Sequence, residues 1–235
     1  MDTSKIMAEL KKLGNEQTKK TLMRHGAVEP FFGVKIGDTK PLQKKYKGNH
    51  AQALELYATG NSDAMYLAGL IADEKAVTKA ELNRWVNEAP WALIANSTVA
   101  ALAAESPHAM AVASKWVDSK KELIASAGWT TLAHYVSVTD DTEIDGSVLE
   151  DYLKRATSEI HDQVDLVKAA MNAYLISLGS YYGKLTKKVK AAAKKIGKVE
   201  VDHGNTACKT PDIIATIEKI EGMGRIGRKR KAARC

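Results

Sequence analysis

Few residues in this 235-residue chain have the types and spacing that catalytic chemistry demands. Its six histidines are scattered, and no two stand at a metal-ligand spacing. Cys208 and Cys235 lie far from any CxxC or His-ligand pattern, which argues against a zinc site or a disulfide framework. There is no phosphate-cradling glycine motif, no HExxH and no GxSxG. His203 and Cys208 share a loop, but no third group is in place to orient a Cys–His pair. No metal and no other cofactor is therefore expected. What remains is aromatic and electrostatic. Trp91, Trp129 and Tyr174 fall in comparable helices of successive repeats and are candidates for stacking on bases. The alternative is that these rings are inter-repeat core. Basic residues gather as Lys40, Lys44 and Lys45, as Lys187 and Lys188, and as Arg228, Lys229, Arg230 and Lys231. These are candidates for phosphate contacts, which position a protein on nucleic acid without reading its sequence.

The elements that must position these residues are helices in tandem. A polar helix ending at Arg84-Trp85-Val86 is followed by a small-residue helix from Trp91, and Lys115-Trp116-Val117 is followed by another from Leu123. The two copies recur at 31 residues between the tryptophans. A recurrence of this kind marks an α-solenoid, in which each helix pair needs neighbours to bury its apolar face. The expected fold is all-α: a right-handed α-solenoid of about six antiparallel helix pairs in a single domain.

Local signals set the boundaries. Ile6, Leu10, Leu13 and Leu22 form one stripe over 3–24, read as a single opening helix. Thr78-Lys-Ala-Glu81 matches a capping box, and Ser106-Pro107 reads as an N-cap followed by proline at the first helical position. Val164, Val167, Met171, Tyr174, Leu178 and Tyr182 step by three or four residues, a clean amphipathic pattern. The repeat domain is expected over 1–221, with basic N-terminal helices to 47, central repeats over 48–183 and a basic cap over 184–221. Residues 222–235 hold six basic residues, three glycines and no acid, and read as a flexible cationic tail.

Charge is unevenly spread. Residues 1–47 carry net +6, residues 48–183 net −9 and residues 184–235 net +10. Two basic ends around an acidic middle fit a polyanion partner, with nucleic acid foremost. No apolar run is long enough for a transmembrane helix, and the N-terminus lacks the apolar segment of a secretion signal. A cytoplasmic, nucleoid-associated monomer is expected.

The segment Phe31-Phe-Gly-Val-Lys-Ile resembles the phenylalanine-glycine-valine-arginine segment of the DNA alkylation repair (AlkD-like) proteins. The tryptophan-bearing central pairs and the basic Ile196–Lys209 stretch are similar to the same family, so the resemblance covers nearly the whole chain. It implies HEAT-like helix pairs curved around double-stranded, alkylated DNA. It also implies an activity in some members, the removal of N3- and N7-alkylated purines without metal or cofactor. Those members set an aspartate, an arginine and tryptophans against the cationic lesion, where a carboxylate can stabilise the developing oxocarbenium ion or activate water. Here the family's tryptophan-aspartate-x-x-aspartate pattern falls on Trp91-Ala-Leu-Ile-Ala95, which keeps the ring and neither carboxylate. Its paired arginines fall near Ala125-Ser126, and its later glycine-tryptophan on Asn172-Ala173. Glu88 and Asn96 are the nearest polar groups to Trp91, and the three together form the candidate catalytic set.

Three readings follow. The first is a duplex-DNA-binding relative that recognises alkylated or distorted DNA with weak, altered or absent glycosylase activity. The second is a monofunctional alkylpurine DNA glycosylase using Glu88 as a displaced carboxylate. The third is a HEAT-repeat scaffold for proteins.

Overall fold

The computed structural model describes residues 2–234. Cys235, one of the two cysteines considered for metal or disulfide chemistry, lies outside the described residues. Among those described there is no strand, only one isolated bridge between Gly14 and Val34.

The chain opens with α1 (Thr3–Leu13), α2 (Glu16–Arg24) and α3 (Lys40–Tyr46). The single helix expected over 3–24 is therefore two. Gly14 leaves no room for a side chain, since a Cβ there would sit 2.7 Å from the Phe32 carbonyl. Asn15 then caps α2 by accepting from the Thr18 amide at 2.9 Å.

Antiparallel pairs follow. They are α4 (His50–Ala58) with α5 (Ser62–Ile71), and α6 (Lys79–Glu88) with a π-helical stretch, Leu93–Val99, that runs into α7 (Ala100–Glu105). Next come α8 (Ala109–Trp116) with α9 (Glu122–Val138), and α10 (Gly146–Glu159) with α11 (Asp165–Tyr181). The array closes with α12 (Thr186–Ile196) and α13 (Ile213–Gly222), both packed on α11. The second helices α5, α7, α9 and α11 touch in succession and form one wall.

The capping box at α6 is formed. Glu81 accepts from the Thr78 amide at 2.8 Å, and Thr78 Oγ1 accepts from the Glu81 amide at 3.2 Å. Ser106 instead ends α7, and its hydroxyl accepts from the His108 amide at 3.2 Å, so α8 starts two residues later than Pro107 suggests.

The repeated tryptophans tie neighbouring first helices together. Trp85 stacks on Tyr57 of the preceding pair with centroids 4.0 Å apart, and Trp116 donates from Nε1 to Asn83 Oδ1 at 2.9 Å. Both rings are fully buried.

The Phe31-Phe-Gly-Val motif is a lock on the first pair. The amides of Phe32, Gly33 and Val34 all donate to the Asp63 carboxylate at the start of α5. Gly33 must hold φ +81° to aim its amide there, and a Cβ would sit 2.7 Å from the Asn15 carbonyl. Burial pushes the Asp63 carboxyl up, while the three amides pull it down.

Candidate nucleic-acid interface

Pro90 ends the linker after α6 and sets Trp91 at the start of the second-helix segment. The Trp91 ring is only 5% exposed and donates from Nε1 to Ser62 Oγ at 3.2 Å. It packs against α5 rather than standing open beside the wall. Asn96 lies on the π-helical stretch, and its Oδ1 accepts from Ser126 Oγ at 3.1 Å, which joins it to α9. Glu88 is the last residue of α6 and is exposed, on a first helix. Its nearest electrostatic effect is on the Tyr57 hydroxyl, which burial raises well above the usual phenol range and the Glu88 charge raises further. No described hydrogen bond joins Glu88 to Trp91 or Asn96. The three candidate catalytic residues therefore sit on neighbouring elements without converging on one cavity.

The other two aromatic candidates are also interior. Trp129 is 2% exposed and Tyr174 is fully buried, with ring centroids 5.4 Å apart. Tyr174 donates to the Leu149 carbonyl at 3.2 Å, and Arg155 lies 5.9 Å over the Trp129 ring. This corrects the expectation that Trp91, Trp129 and Tyr174 form a stacking wall. A ring with no open face cannot stack on a base, and the helical period that aligned them places them on the side that packs between repeats. In the loop pair, His203 Nε2 meets Thr210 Oγ1 at 3.0 Å and Cys208 is exposed, with no described hydrogen bond joining the two.

The cationic candidates divide into three groups. Lys40, Lys44 and Lys45 are exposed around α3, with Lys45 paired to Glu9 at 3.2 Å. Lys187 and Lys188 are exposed on α12, with Lys188 paired to Glu150 at 2.7 Å. These two groups stand at the two ends of the array. The segments between them that build the wall, α5, Leu93–Glu105 and α9, contain no lysine or arginine at all.

The third group lies in the segment expected to be a flexible tail, and here the structure differs most. Residues 225–234 run back along the ends of the second helices, from α11 to α9 to α7 to α5. The Gly227 amide donates to the Ser180 carbonyl at 2.8 Å, and the Arg230 amide to the Ser137 carbonyl at 2.7 Å. Lys229 Nζ donates to the Val136 carbonyl and pairs with Asp141, both at 2.8 Å. Arg234 closes the strap. Its guanidinium bonds Glu105 Oε2 and Glu74 Oε2, each at 2.6 Å, and the Gly69 and Ala72 carbonyls at 3.0 and 2.7 Å.

The carbonyl acceptors share a physical origin. The last carbonyls of a helix have no partner within it and carry the negative end of the helix dipole. Cations of the strap supply what those ends lack, and Ala233 fills a small apolar notch against Ala101 and Ala104. The strap also bears on His134 of α9, whose imidazole is pushed down to about 4 by burial and the Arg230 charge, against Glu105. Composition alone had flagged the basic tail. It had not flagged Arg234 and Glu105, which are its strongest attachment, because 129 residues separate them.

Among the described residues no group of three His, Cys, Asp or Glu side chains could hold a metal ion, and no helix is long and apolar enough to cross a membrane. Among the described residues the surface offers clustered positive charge, and no Phe, Tyr or Trp is exposed.

The model of a family described as DNA alkylation repair enzyme matches residues 6–199. Two uncharacterised proteins, Lin0241 of Listeria innocua serovar 6a and Lmo0209 of Listeria monocytogenes serovar 1/2a, are each 31% identical over 217 residues, covering 90% of this chain and 93% of theirs. A solved structure is 40% identical with a TM-score of 0.92, each chain covered in full. It comes from a new family of proteins related to the HEAT-like repeat DNA glycosylases with affinity for branched DNA structures.

Proposed function

Because the chain belongs to the DNA alkylation repair family, we propose that it acts as a monomeric, cofactor-free DNA-binding member of that family, recognising branched or otherwise distorted duplex, alkylated duplex included, beside the chromosome. On this reading it does not excise bases.

One observation carries the loss of excision. The wall acids that precede and follow Trp91 in the chain are already committed: Asp63 to three amides of the Phe31–Val34 loop, and Glu105 to Arg234 and the strap. A carboxylate held in this way is not available to meet a deoxyribose cation. The nearest exposed one, Glu88, stands on a first helix away from the wall.

Two features favour a branched ligand. The cationic groups around α3 and α12 lie at opposite ends of an acidic middle, which suits separate duplex arms better than one continuous rod. The 40%-identical relative belongs to a family with affinity for branched DNA.

The test pairs two assays on the same preparation: binding of a four-way junction against linear duplex of the same sequence, and base release from methylated duplex. Tighter binding to the junction, weakening with salt, and release no faster than spontaneous depurination are expected. Release that is abolished by Glu88→Gln would install the glycosylase reading in its place. Failure to bind either DNA, with one stoichiometric protein captured instead, would favour the scaffold.

A further inference from the structure

We propose that the C-terminal strap is itself a nucleic-acid-binding element, stapled across the middle repeats so that it supplies the phosphate-facing charge their second helices lack. The inference rests on the DNA-binding reading and assigns that reading a site.

The strap has two sides. Lys229 and Arg234 point inward and are used up by Asp141, Glu74, Glu105 and the helix-end carbonyls. Arg225, Arg228 and Lys231, at spacings of three residues, are exposed. No ion pair among the described residues takes up their charge. A segment held only by its own backbone would lose much ordering entropy on meeting DNA. This one is already ordered by Arg234, whose side chain is 8% exposed and whose guanidinium makes four bonds. The exposed cations are thus fixed in place before the ligand arrives.

Charge accounts for why the strap lies where it does. The central repeats carry net −9, and α5, Leu93–Glu105 and α9 have no cation of their own. Bare, that edge of the wall would repel phosphate through Glu74, Glu105 and Asp141. With the strap seated, all three acids are paired, Asp141 with Lys229 and both Glu74 and Glu105 with Arg234, while Arg225, Arg228 and Lys231 of the same segment remain exposed. The occupant this surface fits is the phosphate backbone of DNA.

The experiment compares wild type with two variants in junction binding over a series of salt concentrations. Arg225→Gln/Arg228→Gln/Lys231→Gln removes the outward charge and leaves the anchors. Glu105→Gln removes the main anchor and leaves every cation, and amide exchange over 228–234 reports whether the strap has come loose. The triple variant is expected to bind more weakly and to flatten the log–log salt slope by up to about 2.7, three phosphate contacts' worth. Glu105→Gln is expected to weaken binding with little change in slope, as exchange over the strap rises. Tighter binding by Glu105→Gln would overturn the proposal and make the strap a mask over the wall. An unchanged slope in the triple variant would overturn it too. A wild type that binds no DNA would instead remove the functional reading, and this one with it.

Discussion

A single ring shows how burial decides between two roles. Trp129 packs against Tyr152 in a T-shaped pair and against Tyr174 in a tilted one, with Arg155 over its ring, and it has almost no open surface. Trp129→Ala should therefore cost about 3–5 kcal/mol in urea unfolding, as expected for a buried tryptophan. Trp129→Phe, measured where it is folded, should leave junction affinity unchanged. Weakened binding by a folded Trp129→Phe would return the ring to the interface. The same reasoning covers Trp91 and Tyr174, whose polar atoms are already spent on Ser62 and the Leu149 carbonyl.

Close approach at the level of whole helices depends on small residues. In α9 the run Ala125-Ser-Ala-Gly128 lets the helix lie against the end of α8, and a Cβ at Gly128 would stand 2.5 Å from the Val117 amide nitrogen. The neighbour is backbone and cannot swing away. Gly128→Ala should thus destabilise by about 1–3 kcal/mol despite the gain in helix propensity, because overpacking outweighs it. A denaturation midpoint at or above wild type would show that α8 and α9 can separate at little cost. The capping box at α6 and the Asn15 cap of α2 belong to this scale too. The Thr78–Glu81 box was readable from a few adjacent residues because its partners are three positions apart, whereas the Asn15 cap was missed inside a stretch whose apolar spacing reads as one helix.

Over the molecule as a whole, the strap joins what the repeats leave separate. Solenoid units contact only their neighbours, so stability is close to a sum over nearest-neighbour interfaces. The strap as a whole departs from that rule, because one short segment bonds Ser180 of α11, Ser137 of α9, Glu105 of α7 and Gly69 of α5. Truncation after Met223 would release the last carbonyls of several helices to water and leave Glu105 without its partner. A loss of about 1–3 kcal/mol is expected for hydrogen bonds of this charged kind, which for a chain of this size lowers Tm by about 2–12 °C. A truncated chain that melts at the wild-type temperature would mean the strap rests on the array without bracing it.

The sequence by itself determined the all-helical repeat, most helix boundaries and the uneven charge. These depend on periodicity and on capping partners a few residues apart, which the chain displays in one dimension. The Phe31–Val34 motif was also visible, though its partner Asp63 was not. Only the tertiary structure decided that the three aromatic candidates are core, because an amphipathic stripe shows that a face is apolar and not whether another helix covers it. It alone seated the tail, since Arg234 and its acceptors are 129 to 165 residues apart. Nothing in local composition distinguishes a cation meant for a buried carboxylate from one meant for solvent. That choice is made by where the end carbonyls of three helices and the Glu105 carboxylate of a fourth come to lie.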